Sequence, residues 1–145
     1  MKKMCTVYER RGMLYLQASS QTEEGVWVLD GGVSELPSNA PDETLGEAVR
    51  SALLQSKGVP HPTRWDRLME PLLASAGVKS WKTFVNGTRC VSVESEKRGW
   101  KLIHFRNLGA KHGFEPVPSA EIDLPPGTNL ADKGRSVRDA LHASA

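Results

Sequence analysis

His104 and His112 stand in a stretch that also carries Lys101, Arg106 and Lys111. Two imidazoles can serve as general base and general acid in RNA cleavage, with neighbouring cations steadying the phosphorane formed between the steps. The same part of the chain holds Trp81, Phe84, Trp100 and Phe105, rings on which bases could stack. A packing role competes with this chemistry. His104 alternates with Trp100 and Leu102 on one side of a predicted strand, and a core would use the same aromatics.

The other reactive types are less suggestive. Cys90 falls inside a predicted strand with no His nearby in sequence, which fits a small buried residue better than a nucleophile. Arg64 and Arg67 flank Trp65 and could grip a carboxylate or a nucleotide. They read more simply as the solvent side of a short amphipathic helix whose other side carries Leu68 and Met69. His61, His104, His112 and His142 are scattered, without the His-x-x-x-His or Cys-x-x-Cys spacing of a metal site. Neither a Gly-rich dinucleotide fingerprint nor a Walker-type run occurs. No catalytic residue, metal or cofactor is therefore assigned, and no enzymatic activity is expected.

The elements that must position these residues can be read along the chain. Cys5 to Tyr8 and Met13 to Gln17 form two short strands about the Arg10-Arg11-Gly12 turn. Val26 to Leu29 is a third, closed by Asp30-Gly31-Gly32, and Val33 to Leu36 is expected to pair back across that turn. Thr44-Leu45-Gly46-Glu47 fits a capping box, and Leu45, Ala48, Val49, Ala52 and Leu53 share one helix face. Gly58 sits where the helix cap belongs, and Pro60-His61-Pro62 must be extended. Thr63 can cap a short helix from Arg64 to Met69. Pro71 to Ala76 forms another ended by Gly77, and Ser80 caps a turn through Phe84. Thr88 to Glu94 and Gly99 to Phe105 read as a hairpin around Ser95 to Arg98. Phe114 to Val117 and Ala120 to Leu124 are further short strands, and Thr128 or Asn129 opens a last helix with Leu130, Val137, Ala140 and Leu141 inward. This order predicts an α+β fold, a single domain over residues 1–145 with helices packed on an antiparallel sheet.

Length and composition agree with one domain. The chain has 145 residues, and its apolar fraction of 39% becomes about 47% once Gly replaces Tyr in the count, ordinary for a globular protein. No apolar run is long enough to span a membrane, and the Met1-to-Cys5 start has no apolar stretch behind its lysines, so no signal peptide is expected. Two cysteines make no disulfide framework; a reduced, cytoplasmic protein is expected.

The net charge is only +2, which speaks against a dedicated nucleic-acid binder, but it conceals a division. Residues 12–49 hold Glu23, Glu24, Asp30, Glu35, Asp42, Glu43 and Glu47 with no Lys or Arg, a charge of −7. Residues 50–113 hold twelve basic residues against Asp66, Glu70, Glu94 and Glu96, a charge of +8. Either the two surfaces neutralise each other, or the acidic one docks a basic partner.

Several stretches resemble one family. They are Leu45-Gly46-Glu47-Ala48-Val49, Ser56-Lys57-Gly58-Val59-Pro60-His61-Pro62, Pro71-Leu72-Leu73, and Ala76-Gly77-Val78-Lys79-Ser80-Trp81 with Phe84. Together they are similar to the contact-dependent growth inhibition (CDI) immunity proteins of the CdiI type, from the first hairpin to about Phe114. The resemblance implies a small cytoplasmic protein that binds and blocks the C-terminal toxin domain of a CdiA effector and protects the producing cell. Such toxins are often nucleases acting on tRNA, so a basic partner is implied, and no nucleic acid, membrane or small-molecule substrate. The matched motifs read as fold determinants: the Gly58 cap, the Pro60–Pro62 linker and Trp81 as a core anchor.

A blocker of a nucleic-acid enzyme gains speed by presenting carboxylates where phosphates bind. Glu23, Glu24, Asp30 and Glu35 are therefore expected to be toxin-binding residues, with Trp27 as an aromatic anchor. Asp42 and Glu43 also suit a helix N-terminus, and Trp27 also suits a core. The alternative function is a small RNA-binding or RNA-cleaving domain using the basic segment 50–113.

Overall fold

Apolar residues on both sides of the first two strands require cover on both faces of a sheet. A computed structural model describes residues 2–97 and 99–144, all but Asp66 with their side chains. Strands β1 (Lys3–Arg10) and β2 (Met13–Thr22) form an antiparallel hairpin with Tyr8 opposite Tyr15 and Val7 opposite Leu16. Its two-residue turn puts Arg11 and Gly12 at φ 49° and 79°, the left-handed pair that matches the twist of the flanking strands. Strand β3 (Trp27–Pro37) lies outside β2 at one edge of the sheet. On the other side come β5 (Arg89–Glu96) and β6 (Gly99–Asn107). The far edge is shared by β7 (Phe114–Pro116) and β8 (Ile122–Leu124), which pair with successive parts of β6. All these pairings are antiparallel. The two-residue β4 (Gly58–Val59) adds one parallel contact, to Gln21 and Thr22 of β2. The fold is α+β, as the order of elements predicts.

Helices α1 (Asp42–Gln55) and α4 (Leu130–Ala143) cover one face. Leu45, Val49, Ala52 and Leu53 of α1, with Val137, Ala140 and Leu141 of α4, are buried on Cys5, Val7, Leu14, Leu16, Val91, Val93, Trp100 and Leu102. Helices α2 (Glu70–Ala76) and α3 (Trp81–Val85) cover part of the opposite face, where Leu72 and Phe84 bury Tyr8, Tyr15 and Cys90. Phe84 meets Tyr8 edge-on at 5.3 Å and stacks with Trp81 at 5.5 Å. Trp81 is half-buried, so it roofs this aromatic cluster rather than filling its centre.

The two helices on the first face approach unusually closely. A Cβ on Gly134 would lie 1.8 Å from the Asp42 carbonyl oxygen, and one on Gly46 would lie 2.2 Å from that of Leu130. Arg138 of α4 also clasps the entry to α1. Its Nε donates to Asp42 at 2.9 Å, and its terminal nitrogens donate to the carbonyls of Ser38 and Ala40.

Several local expectations are corrected. Asp30-Gly31-Gly32 does not reverse the chain. Gly31 takes φ 82°, and the register slips between Gln17 and Ala18, a bulge after which Val33 to Leu36 continue along β2. Helix α1 begins at Asp42 after Pro41, so Thr44 is inside the first turn and caps nothing. Ser56 ends that helix, and Gly58 starts β4 instead. Its hydroxyl donates to the Ser19 carbonyl at 2.5 Å and accepts from the Met4 N–H at 3.2 Å, which ties the helix exit to the sheet. The predicted Arg64-to-Met69 helix is one 3-10 turn, Trp65–Arg67, preceded by Arg64 rather than by a Thr63 cap. Arg98, at the end of the predicted Ser95-to-Arg98 turn, lies outside the described residues.

Candidate partner-binding surface

The β2–β3 turn is built by hydrogen bonds that leave its acids outward. The Thr22 N–H donates to the Val26 carbonyl at 2.8 Å, the Gly25 N–H to the Thr22 carbonyl at 2.9 Å, and the Val26 N–H to the Thr22 hydroxyl at 3.1 Å. Gly25 supplies the positive φ of 87°. Glu23 and Glu24 are exposed at the tip. The Glu24 carboxyl is held below its ordinary value by hydrogen bonds from its own backbone N–H and from the Thr22 side chain, and then by His61. The His61 Nδ1 lies 3.1 Å from the Glu24 Oε1. His61 packs edge-on against Trp65 at 5.3 Å, so the extended Pro60–Pro62 arm is pinned beside the hairpin.

The five residues singled out from the sequence share an edge but not a face. Trp27 lies opposite Gln21 and is half-buried on the side of the sheet that carries Leu29 and Val33. Asp30 projects to the other side, opposite Ala18, and accepts a 2.7 Å hydrogen bond from the Ser20 hydroxyl. That hydroxyl in turn accepts from the Lys57 N–H at 3.2 Å. Glu35 is exposed opposite Tyr15, back on the face of Trp27 and beyond the bulge. At a strand rise of roughly 3.3 Å per residue it lies up to about 26 Å from Trp27. Glu23 and Glu35 have no ion pair with any described residue, whereas Asp42 pairs with Arg138 and Glu47 with Arg50. Part of the acidic segment is thus neutralised internally, whereas Glu23 at the turn and Glu35 on the edge strand have no cationic partner among the described residues.

Val26, 47% exposed, and Trp65, 46% exposed, are large apolar groups close in sequence to this turn or to its His61 strut that the acidic pattern does not select as toxin-binding. The available signal was the Pro-His-Pro arm, whose rigidity presents whatever follows it.

The catalytic constellation is not assembled. His104 lies opposite Val91, on the α4 side of β6, while Lys101 projects to the opposite side of that strand. Lys101 instead pairs with Glu121 at 3.5 Å, and Glu121, followed by Asp123 and Glu94, pushes its pKa up. His112 is exposed in the loop between β6 and β7. Burial pushes the Cys5 thiol up to about 12 and the Cys90 thiol higher still, so neither is a ready nucleophile. Among the described residues no three His, Cys, Asp or Glu side chains are grouped to hold a metal ion, and no helix is long and apolar enough to cross a membrane.

A family model described as "CdiI: CDI immunity protein" matches residues 30–144, most of the chain. The chain belongs to the CDI immunity protein family. Its CdiI fold is also seen in solved structures. A Neisseria meningitidis protein of unknown function superimposes with a TM-score of 0.84 at 16% identity, covering 100% of this chain and 96% of that one. A chain of the CdiA-CT/CdiI toxin and immunity complex from Yersinia pseudotuberculosis superimposes with a TM-score of 0.81 at 14% identity, covering 100% and 98%. No curated protein matches the CdiI chain by sequence. The matched span includes Asp30 and Glu35 and begins after Glu23, Glu24 and Trp27.

Proposed function

We propose that this CdiI-family protein binds the C-terminal toxin domain of a cognate CdiA effector and blocks it inside the producing cell, without catalysis of its own. The observation that carries this reading is the family match over residues 30–144. The full-length similarity in fold to a chain of a toxin and immunity complex supports it.

The toxin is a basic nuclease, with tRNA as its substrate, and it meets the free edge of β3 and the β2–β3 turn. What supports this surface is the set of carboxylates without cationic partners among the described residues at Glu23, Asp30 and Glu35, beside Glu24 and the half-buried Trp27. A partner lying along the edge can touch both sides of the sheet. An interface of ordinary size, about 800 Å² on each partner, is wide enough to span from the turn to Glu35. Opposite charge on the toxin would raise its association rate, toward about 10⁸–10⁹ M⁻¹s⁻¹ at low salt.

The test is co-expression with the C-terminal toxin domain of a cognate CdiA effector, together with incubation of the purified protein alone with total RNA. Growth rescue with RNA left intact is the expected result. RNA cleavage that disappears in His104→Ala would instead favour an RNA-cleaving domain using segment 50–113.

A further inference from the structure

The rigid arm after β4 does not lie flat on the sheet. A cavity of about 360 Å³ opens between it and β3, with walls from Val28, Asp30, Val59, Pro60, Thr63 and Leu68. That is the small end of the range for ligand sites, about 300–1,000 Å³. Apart from Asp30 and Thr63 these walls are hydrocarbon. His61 also lines the cavity, and the same imidazole reaches Glu24, so the opening is continuous with the acidic turn.

Asp30 is the charged group of this cleft. It is half-buried, and its one hydrogen bond among the described residues comes from a neutral hydroxyl, that of Ser20. No Lys, Arg or His of the described chain forms an ion pair with it. A carboxylate set in apolar walls and left without a cation is a receptor for one, because a charge-assisted bond there is screened less than on open surface. Lys and Arg carry such a cation on an apolar stem that can lie along hydrocarbon walls.

The geometry points to a specificity pocket. A single Lys or Arg side chain of the cognate toxin domain inserts between β3 and the Val59–Thr63 arm, its stem against Val28, Val59, Pro60 and Leu68 and its cation on Asp30. This inference rests on the proposed immunity function. It adds that recognition is anchored by one inserted cation, not by diffuse attraction alone.

The test measures binding of the cognate toxin domain to the wild-type chain and to three variants. Asp30→Asn removes the charge but can still accept from Ser20. Thr63→Trp fills the cleft from an exposed loop position without touching that bond. Glu115→Gln, on β7 at the far edge of the sheet, is the control. The expected result is at least tenfold weaker binding by Asp30→Asn and by Thr63→Trp, wild-type affinity for Glu115→Gln, and a shallower salt dependence for Asp30→Asn. Thermal unfolding checks that each variant is folded. If Asp30→Asn does not fold, Thr63→Trp decides. Wild-type affinity in either folded cleft variant overturns the pocket while leaving the immunity reading intact. Failure of the wild-type chain itself to bind the toxin overturns both.

Discussion

Replacing Gly134 by Ala is expected to destabilise the protein although it adds a better helix former. On an exposed helix the substitution would stabilise by up to about 1 kcal/mol. Here the new Cβ would stand 1.8 Å from the Asp42 carbonyl oxygen and 2.9 Å from the Gly46 nitrogen. Both are backbone atoms that no rotamer change can move. Helices α1 and α4 would have to separate by roughly 1.6–2 Å to restore ordinary contact distances. That loosens a face on which Leu45, Val49, Val137 and Leu141 are fully buried, and it stretches the Arg138 clasp on Asp42. Overpacking of this kind costs about 1–3 kcal/mol. Set against the propensity gain, the net expectation is a loss of about 1 kcal/mol, or roughly 2–4 °C in Tm for a domain of this size. Urea denaturation of Gly134→Ala beside the wild type measures it directly. An unchanged or raised midpoint with the same slope would refute the close crossing.

Three further outcomes follow from the same contacts. Arg138→Ala removes a charge-assisted bond to Asp42 and two to backbone carbonyls, and is expected to cost about 2 kcal/mol in urea denaturation, with only partial recovery in Arg138→Lys. Cys5 and Cys90 should resist a thiol reagent at pH 8 until the chain is unfolded, since burial pushes both thiols up; rapid modification of the native protein would contradict their placement. Because the Glu24 carboxyl is depressed in the folded state, its contribution to stability is present above its unfolded pKa and lost as pH falls through the folded one. Glu24→Gln should therefore flatten the acid limb of the stability curve below pH 4.5, and an unaltered limb would count against the Thr22 and His61 contacts.

The parts of the fold legible in the sequence were those whose pattern has a single physical solution. The stripe of Leu45, Ala48, Val49, Ala52 and Leu53 admits only a helix with one buried face, and all but the half-buried Ala48 are buried. Gly77 at φ 71° and the Ser80 side chain accepting from the Thr83 N–H follow from local chemistry that needs no tertiary partner. Illegible were features decided by distant neighbours. β2 runs on to Thr22 because Ser19 and Ser20 bond across to Ser56 and to Asp30 and Lys57, which polar composition alone reads as a loop. Gly31 and Gly32 signal a turn locally, yet pairing of both flanks with β2 makes them a bulge.

The same holds for the proposed binding surface. Its acidic character was visible as 38 residues without Lys or Arg, but its shape was not. Only the register places Asp30 and Trp27 on opposite sides of β3, and only the fold brings His61 to Glu24 and leaves Asp30 without a cation among the described residues. Family membership supplies the kind of partner, and the edge strand with its cleft supplies a place to receive it.

The central claim is neutralisation by direct binding, and one titration tests it most directly. Purified cognate toxin domain is mixed with increasing amounts of this protein while complex formation and residual toxin activity are followed together. Activity is expected to fall in step with formation of a heterodimer and to vanish once the two are equimolar. Toxin that keeps its activity, uncomplexed, in excess of this protein would contradict it.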